Sequence, residues 1–257
     1  MEMENANPFG LMQNKPLLIG DLLTFAAREH GERELVTLTH QGEIRTTYRE
    51  VERRCRQLSS ALELHGIRHG DRVGTIMANS QWHFELYYGV ACGGAVCHTI
   101  NPRLFANQLI YIISHAGDRM LFVDAEMLDI VVPIADSIAD YVETIVVVGI
   151  PGTGALATLS SRFETLDYET FLARGSPDYV WPELNENMPG SLCYTSGTTG
   201  DPKGVLYSHR STVLHAYAAN TKDAFGLGSR DVVLPLVPMF HANCWAFPYL
   251  APWLGQS

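Results

Sequence analysis

Leu192-Cys193-Tyr194-Thr195-Ser196-Gly197-Thr198-Thr199-Gly200-Asp201-Pro202-Lys203-Gly204 gathers four aliphatic hydroxyls (Thr195, Ser196, Thr198, Thr199), three glycines and one lysine in a single run. The apolar stretches on either side, Ser191–Tyr194 and Val205–Tyr207, read as short strands, so the polar run is a loop held between rigid elements. Glycines let backbone N–H groups turn inward with no Cβ in the way. Successive inward N–H groups make an anion-binding concavity, and hydroxyls add donors. Lys203 adds a mobile point charge suited to phosphate. These residue types together suit an extended, multiply charged anion such as a nucleoside triphosphate.

Three other readings compete. Ser/Thr/Gly clusters between strands are usually solvated loops. A Walker A loop is excluded, because no Gly-Lys-Ser/Thr follows at the required spacing. A nucleophile elbow is excluded too, because Tyr194 stands where G-x-S-x-G needs its first glycine.

Working outward toward the N-terminus, residues 17–28 carry apolar positions at helical spacing (Leu18, Leu22, Phe25, Ala26) and end near Gly31. Leu35–Leu38 and Ile44–Thr47, separated by Gln41-Gly42, predict a hairpin. Thr47-Tyr48-Arg49-Glu50 is a capping box opening a helix to about Leu64. From Asp71 the pattern alternates. Strands are expected at 73–78, 95–100, 120–123 and 144–148, with helices at 81–92, 107–115 and 126–138. Such alternation argues for an α/β class with a largely parallel sheet flanked by helices. The apolar runs lack strict alternation, as expected of strands covered on both faces. By composition and pattern the chain divides into 1–70 (a helix–hairpin–helix part), 71–175 (an α/β unit) and 176–257 (the phosphate-loop unit, with the chain ending inside it).

Gly152-Thr153-Gly154-Ala155-Leu156-Ala157 fits G-x-G-x-x-A directly after a strand, with Asp167 and Glu169 downstream, as in a dinucleotide fingerprint. Pro151 beside it and the poor helix continuation Thr158-Leu159-Ser160-Ser161 argue against that and for a surface connection. Residues 175–189 read as a linker. Ser208 is placed to cap a helix over 210–222; its histidines, His209 and His215, are not at i,i+4 and so do not read as a metal pair. Val232–Val237 has the pattern of a buried strand. It delivers Pro238-Met239-Phe240-His241-Ala242-Asn243-Cys244-Trp245 to a strand end, where ligands sit in α/β sheets. Core packing is the ordinary fate of such aromatics.

With 257 residues, 46% of them hydrophobic, the chain can bury a sizeable core. A net charge of −10 argues against nucleic acid bound through a general basic field. No secretory leader or membrane-spanning run is read, and the five scattered cysteines (55, 92, 97, 193, 244) read as buried thiols of a reducing compartment, giving a cytoplasmic expectation.

Residues 194–204 resemble the phosphate loop of the AMP-forming adenylating enzymes, which include acyl-CoA ligases, luciferases and peptide-synthetase adenylation domains. Tyr87–Asn101, Asn101-Pro102-Arg103-Leu104 and Pro238-Met239-Phe240-His241 extend the likeness, most of all to fatty-acyl-CoA and methylmercaptopropionate-CoA ligases. The resemblance implies the large N-terminal domain of such an enzyme, and about its first half. It implies ATP, Mg2+ and coenzyme A as co-substrates and cofactors, acting on a carboxylic acid, with a homodimer as an open option. Thr195 would be a Mg2+ ligand, and Ser196, Gly197, Thr198, Thr199, Gly200 and Lys203 would clasp the triphosphate. Lys203 and His241 are the candidate catalytic residues, although Lys203 need not be the family's essential lysine. His241 would lie beside the carboxylate, with Ala242 and Trp245 lining the acid pocket and Trp245 as its gate. Ala242-Asn243 in place of the Asp that holds an amino group favours a plain carboxylic acid, with a fatty acid as the leading choice. The family's adenine, ribose and catalytic-lysine contacts lie further along, so the isolated chain is expected to be inactive. The alternative is a non-catalytic nucleotide- or acyl-binding fragment or a dimerisation module.

Overall fold

The computed structural model describes residues 10–195 and 201–257. Its first elements are helix α1 (Ile19–Glu29), an antiparallel hairpin of β1 (Glu34–Thr39) and β2 (Gly42–Thr47), and helix α2 (Tyr48–Leu64). The expected cap on α2 is present: the Thr47 side chain accepts from the Glu50 N–H.

The alternating part follows: β3 (Arg72–Ile76), α3 (Gln81–Cys92), β4 (Val96–Thr99), α4 (Ala106–Ala116) and β5 (Asp118–Asp124). The helix expected over 126–138 is broken into α5 (Leu128–Val131) and α6 (Ala135–Ile138), with 3-10 turns at Ala125–Met127 and Val132–Ile134. Pro133 explains the break, since it has no N–H and its ring clashes with the preceding turn. After β6 (Thr144–Val148) the expected surface connection is instead helix α7 (Thr153–Ser160), followed by β7 (Glu164–Asp167) and α8 (Tyr168–Leu172). Parallel pairing of β6 with β7 requires a crossover, and α7 is that crossover, with Leu159 docked in the core.

Seven strands among the described residues form one sheet, in the order β7-β6-β5-β3-β4-β8-β9. Here β8 is Pro189–Thr195 and β9 is Lys203–Ser208, and every pairing is parallel except β8–β9. The sheet therefore crosses residue 176, joining the phosphate-loop hairpin to the preceding unit through β4.

Two-residue periodicity splits the sheet's side chains between two cores. Met120, Phe122, Val146 and Val148 join α1, α2 and α3 on one face; Leu121, Val123, Ile145 and Val147 join α4 to α7 on the other. The chain ends with α9 (His209–Ala219), capped by Ser208 as expected, and α10 (Phe247–Leu254). All five cysteines are buried and free. No helix among the described residues is long and apolar enough to cross a membrane.

One sequence expectation fails clearly. Val232–Val237 is extended but belongs to no strand, and Val232, Leu234 and Leu236 are 79%, 81% and 85% exposed. Its other edge is fastened by single bonds. The Val233 N–H donates to the Ser257 carbonyl, and Asn79 Nδ2 donates to the Pro235 and Val237 carbonyls. Pro235 removes a ladder donor from the middle of the run. The pattern requested cover that no described element supplies.

Candidate functional site

β8 and β9 bring the ends of the polar loop together. Their register pairs Cys193 with Val205 and Thr195 with Lys203, and Thr195 Oγ1 donates to the Lys203 carbonyl at 3.5 Å. Both Thr195 and Lys203 are exposed at the hairpin end. Ser196, Gly197, Thr198, Thr199 and Gly200 lie outside the described residues.

Alternation along β8 gives it two working faces. Leu192 and Tyr194 face one way. The Tyr194 hydroxyl pairs with His115 Nδ1 at 2.6 Å, and burial pushes that hydroxyl up to about 12. The Tyr194 ring lies 5.1 Å from His98, which is fully buried and pairs through Nδ1 with Asp118 Oδ2 at 2.7 Å. Burial raises the Asp118 carboxyl, against the pull of His98. Ser191, Cys193 and Thr195 occupy the opposite face.

That second face meets the segment carrying His241. Asn243 is buried; its Nδ2 donates to Ser191 Oγ at 2.9 Å and its Oδ1 accepts from Cys193 Sγ at 3.3 Å. Thr195 is one pleat further along the same face, about 7 Å from Cys193 by strand rise. The segment just before is fastened too. Asn79 Oδ1 accepts from the Met239 N–H at 2.6 Å, and the Tyr87 hydroxyl donates to the Met239 carbonyl. The Arg103 guanidinium lies 5.8 Å from the centre of the Phe240 ring. Of the stretches singled out in the sequence, 101–104 thus meets 238–241, and the residues that follow 241 meet β8 just before Thr195.

His241 and Ala242 are exposed, and Trp245 is 52% exposed. Residues 242–246 are not a strand end but a left-handed turn, with φ between 45° and 69° at Ala242, Asn243, Cys244, Trp245 and Ala246. Behind them a cavity of about 260 Å³ is lined by Ala242, Trp245, Tyr207, His215, Phe225 and Tyr249, among others. Ala242 and Trp245 do share a concavity, then, while His241 is not among the residues that line it. His215 lines the same cavity, although the sequence offered nothing to place it there. Asn79, Tyr207 and Asn243 were also missed: each acts through contacts with residues tens of positions away, and no local pattern marks them.

A second concavity, about 710 Å³, lies where β3, β5 and β6 end, beneath the β1–β2 hairpin. β4 and β5 leave β3 on opposite sides, so this is the crevice of a doubly wound sheet. Asp124 lines it, accepts from the Ala78 N–H at 2.7 Å, and is pushed up to about 6 by burial.

The family described as AMP-binding enzyme matches residues 23–256. The chain is 48% identical over 242 residues to the 3-methylmercaptopropionyl-CoA ligase of Ruegeria lacuscaerulensis, covering 93% of this chain and 44% of that protein. It is 45% identical over 249 residues to the medium-chain-fatty-acid–CoA ligase of Ectopseudomonas oleovorans, covering 96% and 45%. Among solved structures, the anthranilate CoA ligase AuaEII in complex with anthranoyl-AMP superposes with a TM-score of 0.79 at 25% identity, over 96% of this chain and 46% of that one. The N-terminal domain of FACL13 from Mycobacterium tuberculosis superposes with a TM-score of 0.72 at 26% identity, over 93% and 56%. The chain spans about half the length of the curated relatives it matches. It belongs to the AMP-binding enzyme family, and the two curated relatives named above are CoA ligases.

Proposed function

We propose that this chain is the nucleotide-loop half of an ATP-dependent ligase. That ligase joins a carboxylic acid, with a fatty acid as the leading choice, to coenzyme A and releases AMP and pyrophosphate. The observation that carries the reading is the shared face of β8: it ends in Thr195 at the loop root and seats the turn bearing Ala242 and Trp245.

In the first half-reaction the acid's carboxylate attacks the α-phosphate of ATP; in the second, the thiol of coenzyme A displaces AMP. The first brings two anions together, so positioning and charge neutralisation dominate its barrier. Lys203 supplies positive charge at the loop's exit, and the loop from Ser196 to Gly200 supplies donors for the triphosphate. His241 borders the incoming carboxylate, and Ala242 and Trp245 bound the acid's apolar part, with Trp245 as gate. Thr195 fits a magnesium ion: the residue is exposed, and its hydroxyl's bond to the Lys203 carbonyl is long, at 3.5 Å, so turning it to a metal costs little. Mg2+ held there would neutralise phosphate charge. The buried free thiols support a cytoplasmic setting.

The test is acid-dependent ATP–pyrophosphate exchange with fatty acids of graded length, aryl acids and methylthio acids. We expect silence from the isolated chain, and exchange with at least one acid once the chain is extended to its relatives' length. Silence in both would overturn the ligase reading in favour of a non-catalytic binder. In the active form, Lys203→Ala should weaken Mg-ATP binding about tenfold, and Trp245→Ala should change acid-length preference more than ATP affinity.

A further inference from the structure

Five consecutive residues without a glycine, Ala242 to Ala246, adopt left-handed backbone. L-residues visit this region as single residues rather than runs, because Cβ crowds the following carbonyl. Such a run persists only where its surroundings over-determine it. The fastenings can be traced. Cys244 is fully buried, its Sγ donates to the Val237 carbonyl at 3.1 Å, and its N–H donates to the His241 carbonyl at 2.9 Å. Both partners, Val237 and His241, precede the turn in the same stretch of chain. The Asn243 side chain reaches further, and both of its amide atoms go to β8.

The destination matters. Ser191 and Cys193 are the two residues preceding Thr195 on one face of a strand, and Thr195 opens the phosphate loop. A strand is stiff along its axis, and β8 is held on both sides by β4 and β9. Anything fixed to Ser191 and Cys193 is therefore fixed relative to the loop root. Trp245, two residues beyond Asn243, is half exposed at the mouth of the cavity, so little in its own packing holds it.

We propose that Asn243 is a positioning residue: its amide ties the left-handed turn to β8, holding the wall around Trp245 in register with Thr195 at the strand end. The proposal rests on the ligase reading for its effect on turnover. Its structural content stands without it. Two ligands that bind well separately but sit about 1 Å out of place react on the order of 100-fold more slowly. The tie should therefore appear in kcat rather than in either affinity.

Asn243→Gly is the decisive variant. Glycine adopts φ > 0 without strain, so this change relieves the backbone while removing the amide; Asn243→Ala removes the amide and keeps the strain. In the protein extended to active length, we expect both to lower kcat of pyrophosphate exchange by about 10- to 100-fold, with the KM values for ATP and acid within threefold. Ser191→Ala should reproduce part of the loss, and Ser191→Thr, which keeps the hydroxyl, should restore it. A parent-like kcat in Asn243→Gly overturns the proposal, since Asn243 would then serve only to permit the left-handed backbone. Equal losses in kcat and in both affinities also overturn it, as a merely structural effect.

If the extended parent exchanges with no acid, the ligase reading fails and the tie is judged on this chain directly. There Asn243→Gly should speed amide exchange at Cys244, whose N–H donates to the His241 carbonyl within the turn, more than about tenfold. It should also shift the Trp245 emission, isolated by subtraction of Trp245→Phe. No change in either measure overturns the tie.

Discussion

Thr144–Val148 has four aliphatic residues in five, and Val232–Val237 has five in six. The first is β6, buried at every position, with Ile145 and Val147 in one core and Val146 and Val148 in the other. The second is an extended strip whose Val232, Leu234 and Leu236 stand in solvent. The difference lies in neighbours. β5 and β7 flank β6 in parallel register, whereas the strip is fastened along one edge by Asn79 and by the Ser257 carbonyl. An apolar run states that a segment gains free energy from cover. It does not state which element provides it.

The largest effect should come from placing a charge in the covered strand. Val146→Asp buries an unpaired carboxylate and should cost more than about 4 kcal/mol, enough to prevent folding of a marginal domain. Denaturant titration with a loss below about 1 kcal/mol would mean that β6 is far less enclosed than its two cores indicate.

Next is the clamp on the strip. Asn79→Ala removes two donations to the Pro235 and Val237 carbonyls and one acceptance from Met239. We expect a loss of about 2 kcal/mol. Amide exchange should quicken at Met239 and remain slow in β6. Unchanged protection at Met239 would show that the strip is held by something other than Asn79.

A smaller, pH-dependent effect belongs to Asp124, at the end of the strand beside β6. Burial raises its carboxyl from 3.8 to about 6 in the folded chain. The folded state thus holds the proton more tightly, and this group's contribution is fullest below 3.8 and is lost as pH rises through 6. The full shift corresponds to about 3 kcal/mol. Because Asp124 faces an open cleft, about 1 kcal/mol is the better expectation. Asp124→Asn should therefore match the parent near pH 4 and exceed it above pH 6. A stability difference that is flat between pH 4 and 8 would exclude ionisation of Asp124 as its cause.

The smallest effect should be Leu234→Asp, the same class of change as in β6 but in the open strip. It should alter stability by less than about 0.5 kcal/mol. A loss of several kcal/mol would show that Leu234 is covered in solution, most directly by a second molecule, and a concentration-dependent midpoint would identify that case.

Local elements were legible where the signal was itself local. The Thr47 cap, helix 81–92 and strand 144–148 matched closely, because capping, helical period and β-branched runs act within a few residues. Pro133 was visible too, but its consequence was under-read. Crossover α7 was misread because Thr158–Ser161 is a weak helix former; the demand for a parallel β7 overrode its propensity. At the site, the loop and the two stretches at 101–104 and 238–241 were legible as motifs, whereas the contacts joining them were not. Asn79 reaches across 160 positions to Met239, and Asn243 across 52 to Ser191.

By itself, the sequence determined the α/β alternation, the hairpin that carries the hydroxyl-rich loop, and the family. Each of these rests on short-range spacing, or on an ordered run too long to arise by composition. The tertiary structure alone decided which apolar run is buried, that residues 242–246 turn left-handed, and that Asn243 joins that turn to the strand ending in Thr195. Those outcomes depend on pairing between distant segments, where burial and hydrogen-bond satisfaction are settled across the whole fold and outweigh local preference.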